Sequence, residues 1–170
     1  MAYDYDKLYG ETPDALGLPM PVIVSFFEDL KQQHLRVLDV GCGQGRDALF
    51  IARLGHAVVA VDASPNGIRA LDEAATASGL RIEAVVADIR SYTPDGLFDV
   101  VLIDRTLHML TRDDRLSTLQ TLLAHVAPGG WIVIADEASN IPDFAKLLTL
   151  DDSAWETTKQ ARGYLFARKI

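Results

Sequence analysis

The stretch Leu35-Arg36-Val37-Leu38-Asp39-Val40-Gly41-Cys42-Gly43-Gln44-Gly45 changes character halfway along: an apolar, β-branched run gives way to three glycines, each separated by one residue. The run reads as a buried parallel strand. The glycines read as a tight turn that opens a helix and lets backbone approach a ligand where a Cβ would clash. The same grammar recurs downstream. Apolar runs at residues 57–61, 82–87, 98–103 and 131–135 are closed by Asp62, Asp88, Asp104 and Asp136.

Helical patterns fill the gaps between these runs. Residues 46–54 place Leu49, Phe50 and Leu54 on one face and stop at Gly55, a residue suited to the position just past a helix end. Ser64-Pro65 is an N-cap followed by proline at the first helical position, with Ile68, Leu71 and Ala75 behind it up to Gly79. Thr111 and Asp114 resemble a capping box ahead of Leu116, Leu119, Leu123 and Val126, and Pro128-Gly129-Gly130 then turns the chain into the fifth strand. A helix over residues 22–32, with Ile23, Phe26 and Leu30 on one side, precedes the first strand. After residue 138 the pattern predicts a helix over 142–148 and strands over 155–160 and 164–169 joined at Ala161-Arg162-Gly163, the last strand antiparallel to the rest. Repeated strand and helix with right-handed crossovers predicts an α/β fold, a doubly wound, seven-stranded and mainly parallel sheet. Ligands of such sheets sit at the carboxyl ends of the strands, the edge where the glycines and aspartates fall.

Composition narrows the ligand. The 170 residues lack a linker or a repeat and predict a single domain, residues 1–170, with residues 1–20 as an N-terminal arm over the site. Acidic residues outnumber basic ones by 24 to 16, for a net charge of −8, which argues against nucleic acid and anionic membrane and for a small substrate. Cys42 is the single cysteine, so no internal disulfide and no thiolate zinc set is expected, and no metal. A cytoplasmic protein is expected, because residues 1–6 carry two aspartates where a leader needs positive charge and no apolar run nears the ~18–20 residues of a membrane span.

Asp62, closing the second strand downstream of the glycine loop, can accept hydrogen bonds from both hydroxyls of a ribose. The glycine spacing then selects among nucleoside cofactors. A dinucleotide fingerprint needs a further glycine where Arg46 stands, and no Gly-Lys-Ser or Gly-Lys-Thr follows, so NAD, FAD and P-loop nucleotides are disfavoured.

Residues 37–45, with Asp62, Asp88-Ile89 and Ala127-Pro128-Gly129-Gly130, resemble the class I S-adenosylmethionine-dependent methyltransferases. Gly45-Arg46-Asp47-Ala48-Leu49 and Leu54-Gly55-His56-Ala57-Val58 are similar in particular to the TehB-like branch of small-molecule enzymes, the tellurite and thiopurine relatives. The resemblance implies the Rossmann-like methyltransferase fold, S-adenosylmethionine as cofactor and S-adenosylhomocysteine as product. It places Asp39 and the Gly41, Cys42, Gly43 and Gly45 backbone at the methionyl end, with Arg46 beside them. It places Asp62 on the ribose, Ala63 beside the adenine, and Asp88 and Ile89 around the base. A rim of Asp39, Asp62, Asp88 and Asp104 is complementary to a cationic sulfonium.

Methyl transfer is an in-line displacement in which positioning supplies much of the rate; an S, Se or Te nucleophile needs little help and a protonated O or N acceptor wants a base. Asp104 and His108, after the fourth strand, are the catalytic candidates, and Arg105 joins Asp104 among cofactor contacts. Asp104 stands where the family has an acid or amide before Pro-Pro-Tyr, but those following residues are missing, which argues against an amide or base-nitrogen acceptor. His108 is either a base with a near-neutral pKa or a packed histidine. Arg105 either pairs with Asp104 or Asp136 or steers an anionic acceptor. Tyr9 either covers the sulfonium by a cation–π contact or pins the arm to the sheet. Met109 and Trp131 read as core. The expected protein is a monomer or homodimer acting on a small methyl acceptor; the alternative is a non-catalytic S-adenosylmethionine-binding module or partner subunit.

Overall fold

A computed structural model describes residues 4–170, so the first three residues of the 1–20 arm lie outside the described residues. Fourteen elements are ordered α1 (Tyr5–Glu11), α2 (Pro21–Asp29), β1 (Arg36–Val40), α3 (Arg46–Arg53), β2 (Ala57–Asp62), α4 (Pro65–Ala77), β3 (Ile82–Val86), β4 (Phe98–Asp104), a 3-10 turn (Leu107–Met109), α5 (Arg112–Leu123), β5 (Val126–Ala135), α6 (Ile141–Leu150), β6 (Trp155–Ala161) and β7 (Tyr164–Lys169). The strands form a seven-stranded sheet in the order β3-β2-β1-β4-β5-β7-β6. It is parallel at β1/β2, β2/β3 and β4/β5, and β7 is antiparallel to β5 and β6. The chain divides into two compact units, Met1–Ala87 and Asp88–Ile170.

In the first unit β1 and β2 are buried on both faces, which is why they read as mainly apolar, β-branched runs, with Asp39 as the buried exception in β1. Their register puts Asp39 opposite Ala60, and Ala60 opposite Ala84, so two small side chains share the face of that carboxylate. The caps behave as the sequence requires: Ser64 accepts from the Gly67 N–H and Pro65 starts α4. Helix α2 is shorter than residues 22–32, and the face it buries is Ile23 and Phe27 rather than Phe26 and Leu30. Four residues are about one helical turn, so Ile23 and Phe27 stack on one face of this short helix.

In the second unit β4 and β5 supply a core with Phe98, Leu119, Leu122 and Phe144, all buried. Thr111 caps α5 by accepting from the Asp114 N–H. Pro128-Gly129-Gly130 is no turn before the fifth strand. It lies inside β5, whose pairing passes from Phe98↔Val126 to Val100↔Trp131, so the extra residues bulge out of the ladder. Val126, read as the end of the helical stripe, opens this strand instead. Met109 is 53% exposed, not core; it sits in a three-residue turn with no second face to bury. Trp131 is half-buried, with the Arg168 guanidinium 5.9 Å from its ring centre. Among the described residues no helix is long and apolar enough to cross a membrane.

Candidate functional site

The glycine loop leaves β1 and is sewn onto the end of β2. Gly41 and Cys42 both donate their N–H to the Val61 carbonyl, at 2.8 and 3.1 Å, and the Gly45 N–H closes on the Cys42 carbonyl at 2.8 Å. Two glycines are obligatory for steric reasons. Gly45 has φ +84°, and a Cβ there would lie 2.2 Å from Leu71 Cδ1; Gly43 has φ +55°, and a Cβ there would meet the Tyr9 hydroxyl at 2.7 Å. Both positive φ values and the close approaches exclude a side chain.

Asp62 is the hub of this edge. Its Oδ2 accepts the Gly43 N–H at 2.9 Å and its Oδ1 accepts the Ser64 N–H at 2.8 Å. A carboxylate has about four acceptor positions, so each oxygen retains capacity for a hydroxyl while the two N–H bonds fix its orientation. Asp39 is 2% exposed at the end of β1, Cys42 is buried and Ala63 is exposed. Burial, with Asp39 and Asp62 nearby, pushes the Cys42 thiol well above its ordinary pKa; it is a small inert residue of the loop. Arg46 opens α3 with its guanidinium on Asp47 at 2.8 Å.

Tyr9 lies against the loop and against Gly67 of α4. Burial first, and Asp62 second, raise its phenol far above the ordinary value, so it stays neutral. Two polar side chains, Gln44 and Asp6, hold the segment that carries it. Gln44, inside the glycine motif, accepts the Ala15 N–H at 2.9 Å and donates to the Tyr9 and Thr12 carbonyls at 3.0 and 2.9 Å. Asp6 accepts from the Ser64 hydroxyl at 2.6 Å, and from the Asn66 N–H and amide at 3.0 and 2.9 Å. The Ser64 hydroxyl bond is the main cause holding the Asp6 carboxyl below its ordinary pKa. The residues making these contacts stand 29 to 60 positions apart in sequence, beyond the reach of any local pattern.

In the second unit Asp88 accepts from the Arg90 backbone N–H and, through both oxygens, from its guanidinium, the bonds that lower its carboxyl. Ile89 is half-buried beside it. Asp104 is buried at the end of β4. Arg105 follows in a left-handed conformation, φ +56°, with its N–H on the Ala135 carbonyl at 2.8 Å. A non-glycine residue held there stores ~1–2 kcal/mol. Its exposed guanidinium makes no ion pair among the described residues, neither with Asp104 nor with Asp136. His108 donates its backbone N–H to Asp136 Oδ2 at 3.1 Å.

The donor set suits S-adenosylmethionine. Asp62 presents charged acceptors to a diol, Asp39 adds negative charge for a sulfonium or an ammonium, and the Tyr9, Gly43 and Gly67 contacts give a flat aromatic wall.

Comparison with known proteins agrees. The profile of the family described as "Methyltransferase domain" matches residues 37–130. A 2-heptyl-1-hydroxyquinolin-4(1H)-one methyltransferase from Mycobacteroides abscessus is 32% identical over 142 residues, covering 81% of this chain and 62% of that protein. The probable S-adenosyl-L-methionine-dependent methyltransferase TehB of Haemophilus influenzae is 27% identical, covering 82% of this chain and 45% of that protein. The chain thus spans about half to three-fifths of the length of these relatives. Among solved structures, a TehB-like S-adenosylmethionine-dependent methyltransferase from Corynebacterium glutamicum superposes with TM-score 0.73 at 21% identity, covering 91% of this chain and 90% of that one. The fold, the glycine loop with its strand-end aspartates, and the match across residues 37–130 converge: the chain belongs to the methyltransferase domain family and has the class I, TehB-like S-adenosylmethionine-dependent methyltransferase fold.

Proposed function

We propose that the chain transfers the sulfonium methyl group of S-adenosylmethionine to a small-molecule acceptor bearing an S, Se, Te, O or N nucleophile. The observation that carries this reading is Asp62, oriented by the Gly43 and Ser64 N–H groups with acceptor capacity left on both oxygens. When bound, S-adenosylmethionine supplies an electrophilic methyl group on a sulfur that leaves readily.

The chain's own residues then have separable tasks. Asp62 binds the ribose hydroxyls, and the Gly41, Cys42, Gly43 and Gly45 backbone with Asp39 and Arg46 receives the methionyl end. Tyr9, pinned through Gln44, shields the loop from water. Ala63, and in the second unit Asp88 and Ile89, would hold the base; the Asp88 carboxylate is oriented by Arg90. Asp104 and Arg105 set the charge near the acceptor, the exposed guanidinium favouring an anionic one. His108 takes the acceptor's proton where there is one, an imidazole nitrogen being able to accept it and pass it on. The relative that acts on 2-heptyl-1-hydroxyquinolin-4(1H)-one supports a small-molecule acceptor.

Calorimetric titration with S-adenosylmethionine and S-adenosylhomocysteine, followed by methyl-transfer assays on thiol, selenite, tellurite, amine and hydroxyarene acceptors, tests the proposal. Binding with turnover of at least one acceptor is expected. No binding overturns the cofactor assignment, and binding without turnover on the whole panel establishes the non-catalytic module.

A further inference from the structure

We infer that Asp136 is the positioning residue of His108, fixing its neutral imidazole in the Nδ1–H tautomer so that Nε2 carries the lone pair; this rests on the proposed role of His108 as the base. Strands β4 and β5 are parallel neighbours with Asp104 opposite Ala135, so the residue after β5 arrives beside the turn after β4. That residue is Asp136, 2% exposed. Its Oδ1 accepts the Glu137 N–H and the Asn140 amide, both at 2.7 Å, and its Oδ2 accepts the His108 backbone N–H at 3.1 Å. Three N–H donors compensate a carboxylate withdrawn from water and allow it little rotation.

The same Oδ2 stands 3.9 Å from His108 Nδ1. Nδ1 is buried and has no hydrogen-bond partner, whereas the ring as a whole is partly open, its side chain 21% exposed. A neutral imidazole carries one proton. On Nδ1 the N–H dipole faces the carboxylate; on Nε2 the Nδ1 lone pair would face it, a repulsive arrangement inside a site with little water to screen it. The carboxylate therefore selects the first tautomer. In the proton step an acceptor X–H gives its proton to Nε2 and keeps the bond pair on X, and the imidazolium formed lies beside Asp136. The ring then returns the proton to solvent.

Two other histidines calibrate the measurement. His56 Nδ1 accepts the Leu35 N–H at 3.2 Å, so His56 is protonated on Nε2. His125 Nδ1 lies 2.8 Å from the Gly96 carbonyl, which can only accept, so His125 is protonated on Nδ1. Two-bond ¹H–¹⁵N spectra of the ¹⁵N-histidine-labelled, cofactor-free protein above pH 8, with His108 assigned by its loss in His108→Gln, read the tautomer directly. The expected wild-type His108 pattern matches His125, and Asp136→Asn shifts it toward the His56 pattern. The same variant lowers kcat ~10- to 100-fold, with KM for both substrates within about twofold, because a misassigned proton removes the base without removing a binding contact. A wild-type His108 pattern matching His56 overturns the inference and needs no folded variant; so does an unaltered tautomer in Asp136→Asn. An Nδ1–H pattern in a protein that methylates none of the acceptors supports the positioning and refutes the base role it was read to serve.

Discussion

Asp62→Asn separates the two tasks of that side chain. In the native edge both carboxylate oxygens accept a backbone N–H, Gly43 at 2.9 Å and Ser64 at 2.8 Å. An asparagine has one oxygen, so one N–H retains an acceptor and the other faces the amide NH2. The lost bond is charge-assisted but the group is half-buried, which sets the cost at about 1–2 kcal/mol, a fall in Tm of roughly 2–8 °C for a chain of this size. The ribose hydroxyls lose more. Each exchanges a charged acceptor for a neutral or a donor group, a difference of about 1–1.5 kcal/mol per bond, and two bonds weaken S-adenosylmethionine and S-adenosylhomocysteine alike by roughly 30- to 150-fold. Scanning calorimetry of the cofactor-free protein reads the first effect, and isothermal titration reads the second. A variant that binds both ligands as tightly as wild type refutes the ribose assignment. A variant that melts with wild type refutes the claim that Asp62 holds the loop.

Gly45→Ala places a Cβ 2.2 Å from Leu71 Cδ1 at φ +84°; left-handed strain and overpacking together destabilise by about 2–4 kcal/mol, and urea unfolding that shows less than about 1 kcal/mol refutes the packing. Arg105→Gly relieves a left-handed residue, so the stability is expected to hold or rise by up to ~1 kcal/mol while the KM of an anionic acceptor increases; a clear loss of stability in the melt contradicts the strain. Asp6 has its carboxyl held below the ordinary value, first by the Ser64 hydroxyl. The sign follows: a depressed folded value gives stabilisation that is complete above the unfolded pKa and is lost as pH falls through the folded one, below about pH 4. Protection factors in residues 4–17, measured against the intrinsic exchange rate at each pH, are therefore expected to fall at that acid limit and, in Asp6→Asn, already at neutral pH; equal protection factors in both proteins at both pH values remove Asp6 as the clasp.

What the sequence disclosed follows from where each element gets its order. β1, β2, β4 and the second half of β5 are buried on both faces, so they show as mainly apolar, β-branched runs. The caps at Ser64 and Thr111 are local hydrogen bonds and are visible as residue types at fixed spacing. Helix α1 is seven residues long, with one buried side chain, Tyr9, and too short to stand by propensity; contacts from Asp6 to α4 and from Gln44 to the arm secure it. Those partners come from distant parts of the chain, so no periodicity announces the helix. The bulge in β5 is hidden for the opposite reason, because Pro128-Gly129-Gly130 has the composition of a turn and only the pairing with β4 shows the strand continuing through it. The candidate site divides along the same line. Asp62 and the glycines were legible because their role depends on a strand end and a loop next to it. Asp136 was legible as a strand-closing acid but not as a partner of His108, since that relation exists only once β4 and β5 align Asp104 with Ala135. Residues that a site needs for orientation are thus the ones a single sequence conceals, and in this chain they are Gln44, Asp6, Asp136 and Asn140, each a polar side chain whose hydrogen bonds settle where another residue stands.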